Sequence, residues 1–166
     1  MREAIKYIVI FISLVLVQVL VLNQIQISGY INPYIYILFV MLLPLKSPRY
    51  VTLPLAFLIG LAVDVFSNSL GIHAAATVFV AYLRPYIIRS ISAHDEERSD
   101  YPGLKYNGFS WFLYYTAIMV LMHHFVLFFL EIYTFSNFLA TLFRILVSSI
   151  FSIFIIVLSQ FIVFRD

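Results

Sequence analysis

The 166-residue chain is 63% hydrophobic and only 11% charged, with a formal net charge of +2. A soluble domain is nearer half apolar and a quarter charged, so the composition excludes a soluble globular enzyme and marks a single integral membrane domain over 1–166. Cysteine is absent, which excludes disulfides, thiol catalysis and cysteine-ligated metal.

A helical span needs about 20 apolar residues, fewer where it is short or partly interfacial. The first candidate covers 7–27, behind Arg2 and Lys6, with Gln18, Asn23 and Gln24 towards its far end. It is longer than the apolar stretch of a signal peptide and lacks a small-residue cleavage site, so it reads as an uncleaved span. Asn32-Pro33 opens a short second candidate at 34–45, which closes on Pro44 and Pro48 in a turn to the third, 50–66. The fourth is 70–88, after which a polar loop, 89–108, carries the acidic run Asp95-Glu96-Glu97. The fifth and sixth are 109–130 and 138–164. The expected fold is therefore all-α, with six transmembrane helices.

The basic residues orient it. With the N-terminus in the cytoplasm, nine of the ten lie on the inner side, and only Arg144 does not. This gives an N-in/C-in topology and assigns the basic residues to topology, not to nucleic acid. Arg144 precedes a full apolar stretch, 145–164, and so belongs near the outer boundary, where its long stem can snorkel. Glu131 ends the fifth span on that side. Pairing of Arg144 with Glu131 and pairing with Asp64 both remain open.

Asp64 is the acid to explain, because ionisable groups within spans are rare and mark functional sites by default. The other reading is a carboxylate hydrogen-bonded locally at a helix end. Gly60 and Gly71 bracket it where the chain needs close approach or a free turn, and Ser67-Asn68-Ser69 reads as a polar turn with an N-cap for the next helix. Asp64, His73, His123, His124, Glu131 and Arg144 fall in the outer half of the spans together with Gln18, Asn23 and Gln24. This describes either an outward cavity or ordinary interfacial polarity.

The histidines do not read as a metal site. Adjacent positions on a helix point about 100° apart, and no His-Glu-x-x-His pattern occurs. No nucleophile, base or phosphate-loop constellation appears either, so neither an enzyme nor a cofactor is expected. Small residues Gly71, Ala74, Ala75 and Ala76, and a stripe of Ser148, Ser152 and Ser159, mark helix contacts within the bundle or with a partner's transmembrane helix.

The stretch Gly60-x3-Asp64-x2-Ser67-x-Ser69-Leu70-Gly71, followed by Ala81-Tyr82-Leu83, resembles the signature region of the rod shape-determining MreD family. The preceding hairpin, Asn32-Pro33 to Leu43-Pro44, is also similar. Together they span 32–83, about a third of the chain, and beyond Pro85 only hydropathy matches. The resemblance implies a multi-pass protein of the bacterial inner membrane. Its implied role is a non-enzymatic scaffold in the regulation of peptidoglycan synthesis by the elongation machinery (elongasome). The implied partners are an MreC-like bitopic protein, with MreB, RodA and its penicillin-binding protein in the same assembly, all within membrane lipids. It also implies a fold similar to the six-helix substrate-binding subunits of vitamin uptake (ECF-type) transporters, which leaves a small-molecule or lipid-binding transport subunit as the alternative. On either reading, Gly60, Asp64, Ser67, Ser69, Gly71, His73, Glu131 and Arg144 are the expected partner or cavity residues.

Overall fold

A computed structural model describes residues 2–25, 32–92, 100–132 and 137–163. Among them there is no strand, and the architecture is a helical bundle. Its elements are α1 (Arg2–Leu20), a 3₁₀ turn (Leu22–Gln24), α2 (Leu38–Leu42), α3 (Arg49–Ser67), α4 (Ile72–Ile91), α5 (Leu104–Asn107), α6 (Phe109–Ile132) and α7 (Phe138–Val163). Of the expected 89–108 loop, 93–99 with the acidic run lie outside the described residues, and its two ends are helical, 89–91 in α4 and 104–107 in α5.

Four segments are long and apolar enough to cross a membrane: Glu3–Gln24, α3, α6 and Phe138–Ile162. The chain is a multi-pass membrane protein on that ground. Their outward sides are apolar as lipid contact requires, with Ile8 and Ile12 on α1 and Phe143, Ile150 and Phe154 on α7 all exposed. Helix α4 is 20 residues long, but Arg84, Pro85 and Arg89 keep its second half out of that class. It is the central helix, packed against α3 on one side and α6 on the other, and α7 packs on α6.

The expected second spanning helix is not one. Over 34–45 only the five residues of α2 are helical, and 32–35 have no regular structure. The reason is local. Tyr34, Ile35, Tyr36 and Ile37 are aromatic or β-branched, which disfavours helix. Pro44 then forces Leu43 to extended geometry, at φ −58° and ψ 146°. Every residue of 33–41 is nevertheless buried, so the segment threads the middle of the bundle.

Irregular backbone is tolerated at membrane depth only where protein satisfies it. Here side chains supply what a helix would have. Ser148 and Ser152 of α7 accept from the N–H groups of Asn32 and Tyr34 at 3.2 and 2.9 Å. Gln18 of α1 accepts from the Ile35 N–H at 2.8 Å and donates to the Pro33 carbonyl at 3.2 Å. At the other end, Arg84 donates to the carbonyls of Met41, Leu43 and Pro44 and to the Tyr115 hydroxyl. Tyr115 in turn donates to the Met41 carbonyl at 3.2 Å. The guanidinium thus caps the carbonyl end of α2, where partial negative charge gathers. Arg84 is 2% exposed and Gln18 fully buried, which only such partners make affordable.

Candidate functional site

The turn between α3 and α4 is built around one carboxylate. Helix α3 ends with Asn68 in the left-handed conformation, and the Asn68 and Ser69 N–H groups both return to the Asp64 carbonyl. Gly71, at φ +82°, is the N-cap residue of α4 and has no side chain to cap it. The expected cap from Ser67-Asn68-Ser69 is therefore absent, and Asp64 takes its place from the preceding helix. Its Oδ1 accepts from the His73 N–H at 3.0 Å and its Oδ2 from the Ala74 N–H at 2.9 Å, the second and third residues of α4. Negative charge at a helix N-terminus is favourable in sign as well as in hydrogen bonding.

Two side chains complete the shell. Ser69 Oγ donates to Asp64 Oδ1 at 2.5 Å, and His73 Nδ1 lies 2.9 Å from the same oxygen. An ionised carboxylate accepts only, so the His73 Nδ1 that faces it carries a proton. Asp64 is 1% exposed, and its carboxylate is surrounded by these donors.

Gly60, one turn before Asp64, lets the two helices meet. A Cβ there would lie 2.5 Å from Ala74 Cα, 2.7 Å from Ala74 N and 2.8 Å from the His73 carbonyl oxygen. Gly60, Asp64, Ser69, Gly71 and His73 are therefore brought together as one unit. Glu131 and Arg144 are not part of it. They pair with each other in a two-pronged contact at 3.1 Å on both prongs, with the guanidinium 4.3 Å from the Phe128 ring centroid. Of the two pairings open to Arg144, the structure contains the one with Glu131.

Beside this unit opens a cleft of about 260 Å³ at the end of the bundle remote from Lys6 and Arg49. Asn23, Gln24, Asn32, Tyr34, Ser67 and His73 line it. Its wall is continuous with the buried segment, since Asn23 donates to Ser67 Oγ at 2.9 Å and accepts from Gln18 Nε2 at 2.8 Å. The end of α1, the end of α3 and residues 33–35 are thus one hydrogen-bonded frame. Behind it, Tyr34 and Tyr36 pack edge-on against the rings of His73 and His123, and Tyr34 also against His124. His123 Nε2 lies 2.7 Å from the Tyr36 hydroxyl, and His124 Nε2 lies 3.1 Å from Ser152 Oγ. The adjacent histidines serve different partners, as their angular separation requires. Among the described residues no three His, Asp or Glu side chains converge to hold a metal.

The cleft can bind by hydrogen bonds from neutral amides, hydroxyls and the His73 imidazole. Sequence reading had flagged Asn23, Gln24, Ser67 and His73, but it missed the buried backbone that Gln18, Ser148, Ser152, Arg84 and Tyr115 support. The available signal was the shortness of the 34–45 run between Pro33 and Pro44. Comparison with protein-family models, curated proteins and solved structures returns no match.

Proposed function

We propose that this chain is a non-enzymatic scaffold of the MreD type in the bacterial inner membrane, N-in and C-in. On this reading α4 and the 33–43 segment cross the membrane along with the four long apolar segments, making six crossings. The outward cleft receives a segment of an MreC-like bitopic partner and so couples it to the elongation machinery with MreB, RodA and its penicillin-binding protein. The observation that carries this reading is the polar cleft suspended from the Asp64 cap. It is framed largely by residues of 32–83, the stretch that carries the family resemblance. Its lining mixes hydrogen-bonding groups with Val19, Leu22, Pro33 and Phe66, which suits a peptide segment that brings backbone polar groups and apolar side chains together.

The test is capture of the MreC-like partner by the purified protein, wild type against Ser67→Trp. An indole at Ser67 fills the cleft, so capture should fall at least about tenfold, the loss of about 1.4 kcal/mol or more of binding free energy, whereas Ser67→Ala, which loses only the hydroxyl that accepts from Asn23, should still capture. Wild type failing to capture the partner, or Ser67→Trp capturing it equally well, would overturn the reading. Thermal stabilisation by a small metabolite or lipid instead of the protein partner would favour a transport subunit.

A further inference from the structure

A second constellation lies at the opposite end of the bundle, on the outward face of α3 and α4. Arg49 opens α3, donates from Nη2 to the Tyr86 hydroxyl at 2.9 Å, and stands 5.0 and 5.4 Å from the ring centroids of Tyr82 and Tyr86. Phe79, Tyr82, Tyr86 and Arg89 recur at three- and four-residue spacing and so share one face of α4. All four are exposed, whereas Arg84 points into the core.

Among the described residues Lys46 pairs with Asp100 at 2.6 Å, Arg144 with Glu131 and Lys6 with Glu3 at 4.0 Å, while the buried Arg84 is answered by carbonyls and the Tyr115 hydroxyl. Among the described residues neither Arg49 nor Arg89 has a carboxylate within ion-pair reach. The two tyrosine rings nonetheless hold the Arg49 guanidinium in place, and its Nη2 donates to the Tyr86 hydroxyl.

We propose that Arg49, Tyr82, Tyr86 and Arg89 form a site for the phosphate of an anionic phospholipid headgroup. A guanidinium offers five N–H donors in a planar fork that matches two phosphate oxygens, and stacking on aromatic rings orders that fork beforehand. Tyrosines at this level are interfacial anchors, hydrophobic below and hydrogen-bonding above. Phe79, one turn deeper on the same face, continues the stripe into apolar surface that an acyl chain can cover. Arg89 supplies the second charge. This pattern, basic and phenolic above and apolar below, is that of a lipid and not of a free anion.

The experiment is native mass spectrometry of the purified protein with added phosphatidylglycerol, phosphatidylcholine or inorganic phosphate. Wild type should retain phosphatidylglycerol over phosphatidylcholine. Arg49→Gln should lower that retention about fivefold, the factor one basic residue contributes near an anionic surface, and the Arg49→Gln, Arg89→Gln double variant should lower it further. Lys46→Gln, whose charge Asp100 already answers, should leave it unchanged. Thermal unfolding without lipid checks that the exposed variants fold. If Arg49→Gln does not, Arg89→Gln, which removes an exposed side chain, carries the comparison. Equal retention of the two lipids, full retention by the double variant, or equal stabilisation by inorganic phosphate overturns the proposal.

Discussion

Gly60→Ala should separate α3 from α4 and dismantle the Asp64 cap. The added methyl group would meet three atoms, at 2.5, 2.7 and 2.8 Å, all of them backbone of His73 and Ala74, so no side chain can swing away. Restoring ordinary contact at about 3.4 Å moves the first turn of α4 by roughly 0.9 Å, and overpacking of this kind costs about 1–3 kcal/mol. The same turn carries the His73 and Ala74 N–H groups that Asp64 accepts at 3.0 and 2.9 Å. Retreat by that distance takes both beyond hydrogen-bonding range, and each bond to a charged acceptor is worth about 1.5–3 kcal/mol. Alanine returns about 1 kcal/mol through its better helix propensity. The net loss is at least about 3 kcal/mol, which corresponds to a fall in Tm on the order of 10 °C. Thermal unfolding in detergent measures it, with Gly103→Ala as control, because a Cβ there meets only side-chain atoms at 3.7 Å or more. A Gly60→Ala protein melting within a degree or two of wild type would refute the close-approach argument.

Asp64→Asn keeps the shape but turns one acceptor into a donor facing either the Ala74 N–H or the Ser69 and His73 donors. A loss of about 2–4 kcal/mol is expected, read as faster amide exchange at His73 and Ala74. Gln18→Leu leaves the Ile35 N–H and the Pro33 carbonyl buried without partners, at about 1–3 kcal/mol each. Detergent-solubilised protein should then melt well below wild type, and unchanged melting would mean that water replaces the side chain. Arg84→Lys cannot span the Tyr115 hydroxyl and three carbonyls with one ammonium, so protease cleavage within 44–48 should accelerate while Arg89→Lys stays at the wild-type rate. A double-mutant cycle on Glu131 and Arg144 should give a coupling of no more than about 1 kcal/mol, since the Glu131 side chain is 43% exposed. A larger coupling would mean the pair is desolvated by something bound over it.

The membrane class, the four long apolar segments and the gathering of polar side chains towards one end of the bundle were legible in the sequence alone. Each depends on composition or on the order of residues along one helix, and lipid as solvent makes those decisive. That Gly60, Asp64 and Gly71 belong to one turn was legible too, through an acid between two glycines in apolar surroundings. What Asp64 does was not. Its partners, His73 and Ala74, lie nine and ten residues away, and they meet it only because α3 and α4 close on Gly60. Likewise nothing local tells that Ser148 and Ser152 serve the backbone of residues 32 and 34, more than a hundred positions earlier. The short 34–45 run looked like a helix because it is apolar. Tertiary packing instead let it pass through the core irregularly, with Gln18, Ser148, Ser152, Arg84 and Tyr115 supplying the hydrogen bonds its own backbone forgoes. Hydropathy says that a segment is buried, and only the partners assembled around it decide whether it must also be a helix.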